Sequence, residues 1–164
     1  MHGDDHGHVR PPRGIAEELN RTMRSKEHAA LLTLLRTADV AKHRFTELFD
    51  REGVTLQQYN VLRILRDAGP EGLPTLEIGE RMIERTPGVT RIVDRLVAKG
   101  WVQRERNADD RRKVWCKVTT DGLALLGRLD RPVAEADREI FSGLDPADLD
   151  HLIRSLDILR ARMG

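Results

Sequence analysis

The 164 residues carry 28 Lys and Arg against 27 Asp and Glu, a formal net charge of +1, and 39% are hydrophobic. That is enough for one core-bearing domain, or one lobe plus an oligomerisation element, and too little for a large catalytic cleft between two domains. The near-neutral total excludes a nonspecific nucleic-acid coating protein but not a compact protein with one basic face, and the single cysteine, Cys116, excludes an intrachain disulfide or a Cys-rich zinc ribbon.

Residues 1–14, MHGDDHGHVRPPRG, have no periodicity and are expected to form a disordered tail. His2, Asp4, Asp5, His6 and His8 supply imidazole and carboxylate ligands without fixed geometry, so a solvated tail is expected there and no metal site. A short helix is expected over 15–23 and a long one over 26–51, with Leu31, Leu34, Leu35, Ala38, Phe45, Leu48 and Phe49 as apolar positions. At about seven turns, the long helix exceeds what a small lobe needs for its own core, which suggests packing against another subunit.

Gly53 ends that helix and Thr55 caps the next, whose apolar face holds Leu56, Tyr59, Val61, Leu62, Ile64 and Leu65. Tyr59 reads either as a core residue with its hydroxyl at an edge or as the lining of a small-molecule cavity. The turn-rich AGPEGLP, residues 68–74, precedes a short strand at 73–75 and a helix, LEIGERM, with Leu76, Ile78 and Met82 available for packing. Gly79 suits a close approach of two helices, or is an incidental exposed glycine.

The next segment pairs Val89, Ile92, Val93 and Leu96 at helical spacing, turning Thr86, Thr90, Arg91 and Arg95 to other faces. Thr86 is read as its N-cap, Pro87 as the first helical residue and Gly88 as part of a narrow entrance; Lys99 and Gly100 end it. Trp101 and Val102 then open an arm that pairs with residues 113–118 across the polar NADDRR, with Arg111 and Arg112 at or just after the tip. Trp101 is read as packing at the hairpin base rather than as a base-stacking residue. One of Val114, Trp115 and Cys116 must face outward, and Cys116 is read as an inert, partly buried thiol. Thr119 caps a long helix starting near Thr120, with Leu123, Leu125, Leu126, Leu129, Val133, Ala136, Ile140 and Phe141 as its apolar residues and a kink expected at Pro132. Asp145 and Pro146 restart the chain as a last helix, whose stripe of Leu149, Leu152, Ile153, Leu156 and Leu159 lacks an obvious partner in the same chain and signals oligomerisation.

Helix, turn, helix and hairpin in this order give a mainly α (α+β) fold: a winged helix-turn-helix whose N- and C-terminal helices form a dimerisation scaffold. The expected division is a tail at 1–14, an N-terminal helical dimerisation region at 15–51, a DNA-binding lobe at 52–122 and a C-terminal dimerisation region at 123–164. Between residues 81 and 115 there are ten Lys and Arg against five Asp and Glu, while from residue 121 onward nine acidic residues face six basic ones. Positive charge is thus concentrated where the fold would present it to a phosphate backbone. No apolar run of about 18 residues and no charged-then-apolar leader is present, so neither a membrane span nor a secretory signal is expected, and the expected compartment is the cytoplasm.

The segment TPGVTRIVDRLVAKGWV at 86–102 resembles the recognition helix of the MarR family of transcriptional regulators, and DDRRKVWCKVTTDG at 109–122 resembles its wing. Asp110 and Arg111 match the family's acid-arginine pair, and Thr119 and Gly122 match the Thr and Gly of the wing exit; Val118 stands where the family usually has leucine. The resemblance spans about residues 26–162 and is strongest over 73–122. It implies a homodimer with intertwined terminal helices and two winged lobes on a pseudo-palindromic operator in double-stranded DNA. By the same resemblance Thr86, Pro87, Gly88, Thr90 and Arg91 lie at or near the major groove and Arg95 nearer the phosphates. Arg111 reaches the minor groove, oriented by Asp110 and flanked by Arg112. These roles suit the chemistry of threonine and arginine at base edges and in a narrow, negative groove.

The resemblance further implies relief by a small, often aromatic or phenolic, effector, with His43, Phe45 and Tyr59 as candidates for its pocket. Peroxide sensing is disfavoured, because the family's thiol sensors use a cysteine in the N-terminal helical region and Cys116 is elsewhere. No cofactor is expected, and no carboxylate pair, metal cluster or activated nucleophile stands at useful spacing for an enzyme. The alternatives are a winged-helix protein-interaction module and a ligand-independent DNA-binding regulator.

Overall fold

The computed structural model describes residues 25–83, 88–106 and 114–163. Helix α1 is Lys26–Asp50 and α2 is Leu56–Asp67. Strand β1, Leu73–Pro74, runs straight into α3, Thr75–Arg81, and α4 is Val89–Ala98. Strands β2, Val102–Arg106, and β3, Val114–Val118, precede α5, Thr120–Ile140, and α6, Pro146–Met163. The fold is mainly helical with one antiparallel sheet in the order β1-β3-β2, the arrangement of a winged helix. The short strand expected before α3 pairs Leu73 with Cys116 and Pro74 with Trp115. The tail at 1–14 and the helix expected at 15–23 lie outside the described residues.

Local chemistry sets the element ends. After α1, Gly53 takes φ 66°, its N–H donating to the Asp50 carbonyl at 3.0 Å and that of Val54 to Phe49 at 3.1 Å. This is a Schellman turn, closed by apolar contact between the buried residues Phe49 and Val54. Thr55 opens α2 with a capping box: its Oγ1 accepts from the Gln58 N–H, and Gln58 Oε1 accepts from the Thr55 N–H, both at 3.2 Å. Asp145 caps α6 through the Asp148 N–H at 2.8 Å, with Pro146 in the first position. Helix α5 is continuous through Pro132, whose ring leaves the carbonyl one turn earlier without its helical donor.

Two compact units divide the chain, one of residues 43–136 and one of residues 1–42 with 137–164. The first holds a core of Val61, Leu62, Leu65, Ile78, Val93, Leu96, Cys116, Leu125 and Leu126, all fully buried, with Leu129 alongside. Leu76, expected to pack inward, is 77% exposed. Residues advance about 100° along a helix, so Leu76 lies some 200° from Ile78, whereas Met82 is four residues on and shares its face. Leu123, in the first turn of α5, is also exposed. In the other unit none of the described residues is buried. Leu31, Leu34, Leu35 and Val40 of α1 are exposed, and Ile153, Ile158 and Leu159 of α6 likewise. Among the described residues no helix is long and apolar enough to cross a membrane.

Candidate nucleic-acid interface

Helix α4 divides cleanly by side. Val93 and Leu96 are fully buried and Val89, Ile92 and Val97 are half-buried against the core, while Thr90, Arg91, Asp94, Arg95 and Ala98 are exposed. The exposed set follows the i, i+1, i+4, i+5, i+8 spacing of one helical face. The core contacts therefore determine which residues point outward. Helix α3 supports α4 from behind: a Cβ built on Gly79 would lie 3.4 Å from Val89 Cγ2, so this glycine does mark a close approach of two helices.

The helix begins later than the sequence suggests. Gly88 is the N-cap at φ 100°, its carbonyl accepting from the Arg91 N–H at 2.8 Å, and among the described residues no side chain caps the end. A left-handed backbone at this point favours glycine, which brings no side chain of its own to the first amide groups of α4. A Cβ at Gly88 would stand 4.0 Å from Arg91 Cδ, so the Arg91 stem runs back along this end. Thr86 and Pro87 lie outside the described residues.

At the other end of α4 the N–H of Gly100, at φ 73°, donates to the Val97 carbonyl at 2.9 Å and that of Trp101 to Leu96 at 3.0 Å. This second Schellman turn directs the chain into β2. On β2 and β3 side chains alternate: Val102 and Cys116 face the helices and are buried, whereas Glu105 and Lys117 pair on the other face at 2.8 Å. The hydrogen bond from Lys117 to Glu105 holds the ammonium pKa above its usual value. Cys116 is fully buried beside Thr75 Oγ1 at 3.5 Å, deeper than its sequence context suggests, because its partner across the ladder, Leu73, closes the same side. Val114 is the exposed member of its trio and Trp115 is half-buried.

Two residues that sequence reasoning did not select belong to this surface. Asp94 stands on the exposed face of α4 between Arg91 and Arg95, and its Oδ1 lies 2.6 Å from Arg104 Nη1 on β2. The pair ties the outward helix to the base of the wing and cancels the one acid on that face. The i+3 step from Arg91 to Asp94, and the two-residue step from Val102 to Arg104, are the sequence signals that carry this placement. Among the described residues no carboxylate pairs with Arg91 or Arg95, and both side chains are exposed. Asp110, Arg111 and Arg112, at the wing tip, lie outside the described residues.

The candidate effector residues occupy another part of the same unit. Phe49 stacks on Tyr59 with ring centroids 4.4 Å apart and on Phe45 at 6.0 Å, so Phe45 and Tyr59 flank a buried ring that the sequence placed only in the core. His43 is two residues before Phe45, on a different side of α1, exposed and 3.7 Å from Glu47 Oε1.

Comparison with known proteins matches this lobe to the MarR family model over residues 54–114. The multiple antibiotic resistance protein MarR of Salmonella typhimurium is 31% identical over 107 residues, covering 63% of this chain and 73% of that protein. The chain belongs to the MarR family. The crystal structure of a MarR transcription factor from Planctomyces limnophilus superposes with a TM-score of 0.64 at 38% identity, covering 83% of this chain and 98% of that one. A structure described as showing the mechanism for regulation of DNA binding of Bordetella bronchiseptica BpsR by 6-hydroxynicotinic acid gives 0.70 at 25% identity, over 78% and 90% of the two chains. MarR-family relatives are transcription regulators, so the chain is a regulator of this family and not an enzyme.

Proposed function

We propose that this MarR-family chain is a homodimeric repressor that binds a pseudo-palindromic operator in double-stranded DNA and is released by a small, aromatic or phenolic, ligand. The observation that carries the DNA-binding reading is the division of α4, with Thr90, Arg91 and Arg95 exposed above the buried Val93 and Leu96. Gly88, Thr90 and Arg91, with Thr86 and Pro87 before them, meet the major groove and Arg95 the phosphates; Arg111, oriented by Asp110 and beside Arg112, enters the minor groove. Residues 52–122 act as the DNA-binding lobe, and residues 15–51 and 123–164 as the dimerisation regions. Supporting the dimer is helix α6, in which none of the residues Pro146–Met163 is buried although its stripe is apolar. A solvated monomer would leave that surface in water at a cost of about 25 cal/mol per Å².

An effector is supported by two observations: the DNA binding of BpsR is described as regulated by 6-hydroxynicotinic acid, and here Phe45 and Tyr59 flank Phe49. The test is selection of duplexes from a randomised pool by the purified protein, then titration of the recovered duplex and a scrambled one at fixed salt. A preference of about 10³-fold or more supports the reading; equal affinity refutes it. Adding hydroxylated aromatic acids to the preformed complex tests release.

A further inference from the structure

Lys99 counts towards the basic balance of the DNA-binding stretch, yet its ammonium is engaged within the protein. It is the C-cap residue of α4. Its Nζ donates to the carbonyl oxygen of Gly53, lies 3.5 Å from Gln58 Oε1, and sits 4.6 Å from the centre of the Trp101 ring. Each of these groups has a defined structural role. Gly53 is the left-handed residue that ends α1, Gln58 is the buried half of the α2 capping box, and Trp101 closes the Schellman turn of α4.

We propose that Lys99 is a positioning residue for the DNA-reading helix, fastening the end of α4 to the turn between α1 and α2, and is not a phosphate contact. The proposal rests on the DNA-binding reading above and deepens it. A cation at this point is favoured by the negative ends of both α1 and α4, by the carbonyl and amide oxygens it meets, and by the indole face beneath it. Lys99 continues the side of α4 that carries Arg91 and Arg95 and is exposed, but its Nζ turns to the Gly53 carbonyl and the Gln58 amide oxygen. Those two arginines lie eight and four residues upstream, about 12 and 6 Å along the helix axis. The buried Val93 and Leu96 hold the middle of α4 against the core, and Lys99 holds its end. Together they set the angle at which Arg91 and Arg95 approach DNA.

The test uses the full chain and the duplex recovered by selection with the wild-type protein. Lys99→Met keeps the apolar stem and removes the charge and donors. Expected is a loss of operator affinity of about tenfold with an unchanged slope of log affinity against log salt, measured on protein that circular dichroism shows folded at the assay temperature. A slope shallower by about 0.9 for each copy engaged identifies Lys99 as a phosphate contact and overturns the proposal. Unchanged operator affinity in the folded variant leaves Lys99 a stability residue only, and overturns it as well. Lys99→Arg covers the case in which Lys99→Met does not fold. A phosphate contact tolerates arginine, whereas a niche fitted to a point charge does not, so weaker operator binding supports positioning and wild-type binding overturns it. Failure of the wild-type protein to prefer its selected duplex over a scrambled one overturns the DNA-binding reading itself and is visible before any variant is made.

Discussion

Gly122, in the first turn of α5, sits at the joint between the wing and the last part of the chain, and replacing it with alanine tests how tightly that joint is built. A Cβ there would lie 2.4 Å from the Trp101 carbonyl oxygen and 2.8 Å from Val118 Cγ2. The nearer contact is backbone, and that carbonyl already accepts from the Thr119 N–H at 3.0 Å. Thr119 Oγ1 donates to the Gly100 carbonyl at 2.7 Å and accepts from the Gly122 N–H at 3.1 Å. To admit a methyl group α5 must move away from Trp101 and disturb this network. Overpacking costs about 1–3 kcal/mol, a weakened hydrogen bond about 0.5–1.5 kcal/mol, and the gain from replacing a helical glycine offsets about 0.5–1 kcal/mol. The balance is near 2 kcal/mol lost, or a fall in Tm of about 4–8 °C for a chain of this size. Gly127 provides the control, because it lies in the same helix with nothing within 4 Å of its added Cβ. Gly127→Ala should raise Tm by about 1–4 °C. Thermal unfolding at one fixed protomer concentration measures both. A Gly122→Ala protein that melts at or above the wild-type temperature would refute the packing argument.

Further outcomes follow from the exposed face of α4. Arg91→Ala should cost about 1–3 kcal/mol in operator binding and relax the preference at one base pair, whereas Arg95→Ala should weaken operator and scrambled duplexes alike and reduce the salt slope by about one. Competition titrations at several salt concentrations separate the two patterns. Asp94→Asn removes the only acid on that face and frees Arg104, so binding to scrambled duplex should tighten and the discrimination ratio should fall; an unchanged ratio counts against a specificity role for the pair. Cys116 is fully buried, so its reaction with a thiol reagent should proceed only as fast as unfolding exposes it. Rapid labelling of the native protein would show that the sheet opens locally.

The helix ends were legible because they depend on near neighbours. Thr55, Gly53, Lys99 with Gly100, Thr119, and Asp145 with Pro146 each terminate or start an element through groups within a few residues of one another. The outward placement of Thr90, Arg91 and Arg95 was legible for a similar reason, since helical spacing opposes them to Val93 and Leu96. The start of α4 at Gly88 was not, because the preference of proline for a first helical position competes with that of glycine for a left-handed cap, and residue types alone do not rank them. Leu76 and Leu123 show a further gap: an apolar side chain on a short helix or at a helix start does not declare which neighbour covers it. Partners distant in sequence, such as Lys99 with Gly53 or Arg104 with Asp94, became apparent only once the sheet and helices were assembled.

We propose that two copies of this chain present α4 and the wing to one operator. Measuring the stoichiometry and salt dependence of binding to the selected duplex in a single titration series decides this arrangement. Two protomers per duplex, a preference over scrambled DNA of about 10³-fold or more, and a steep fall in affinity with salt are expected. One protomer per duplex, or equal affinity for selected and scrambled sequences, would contradict it.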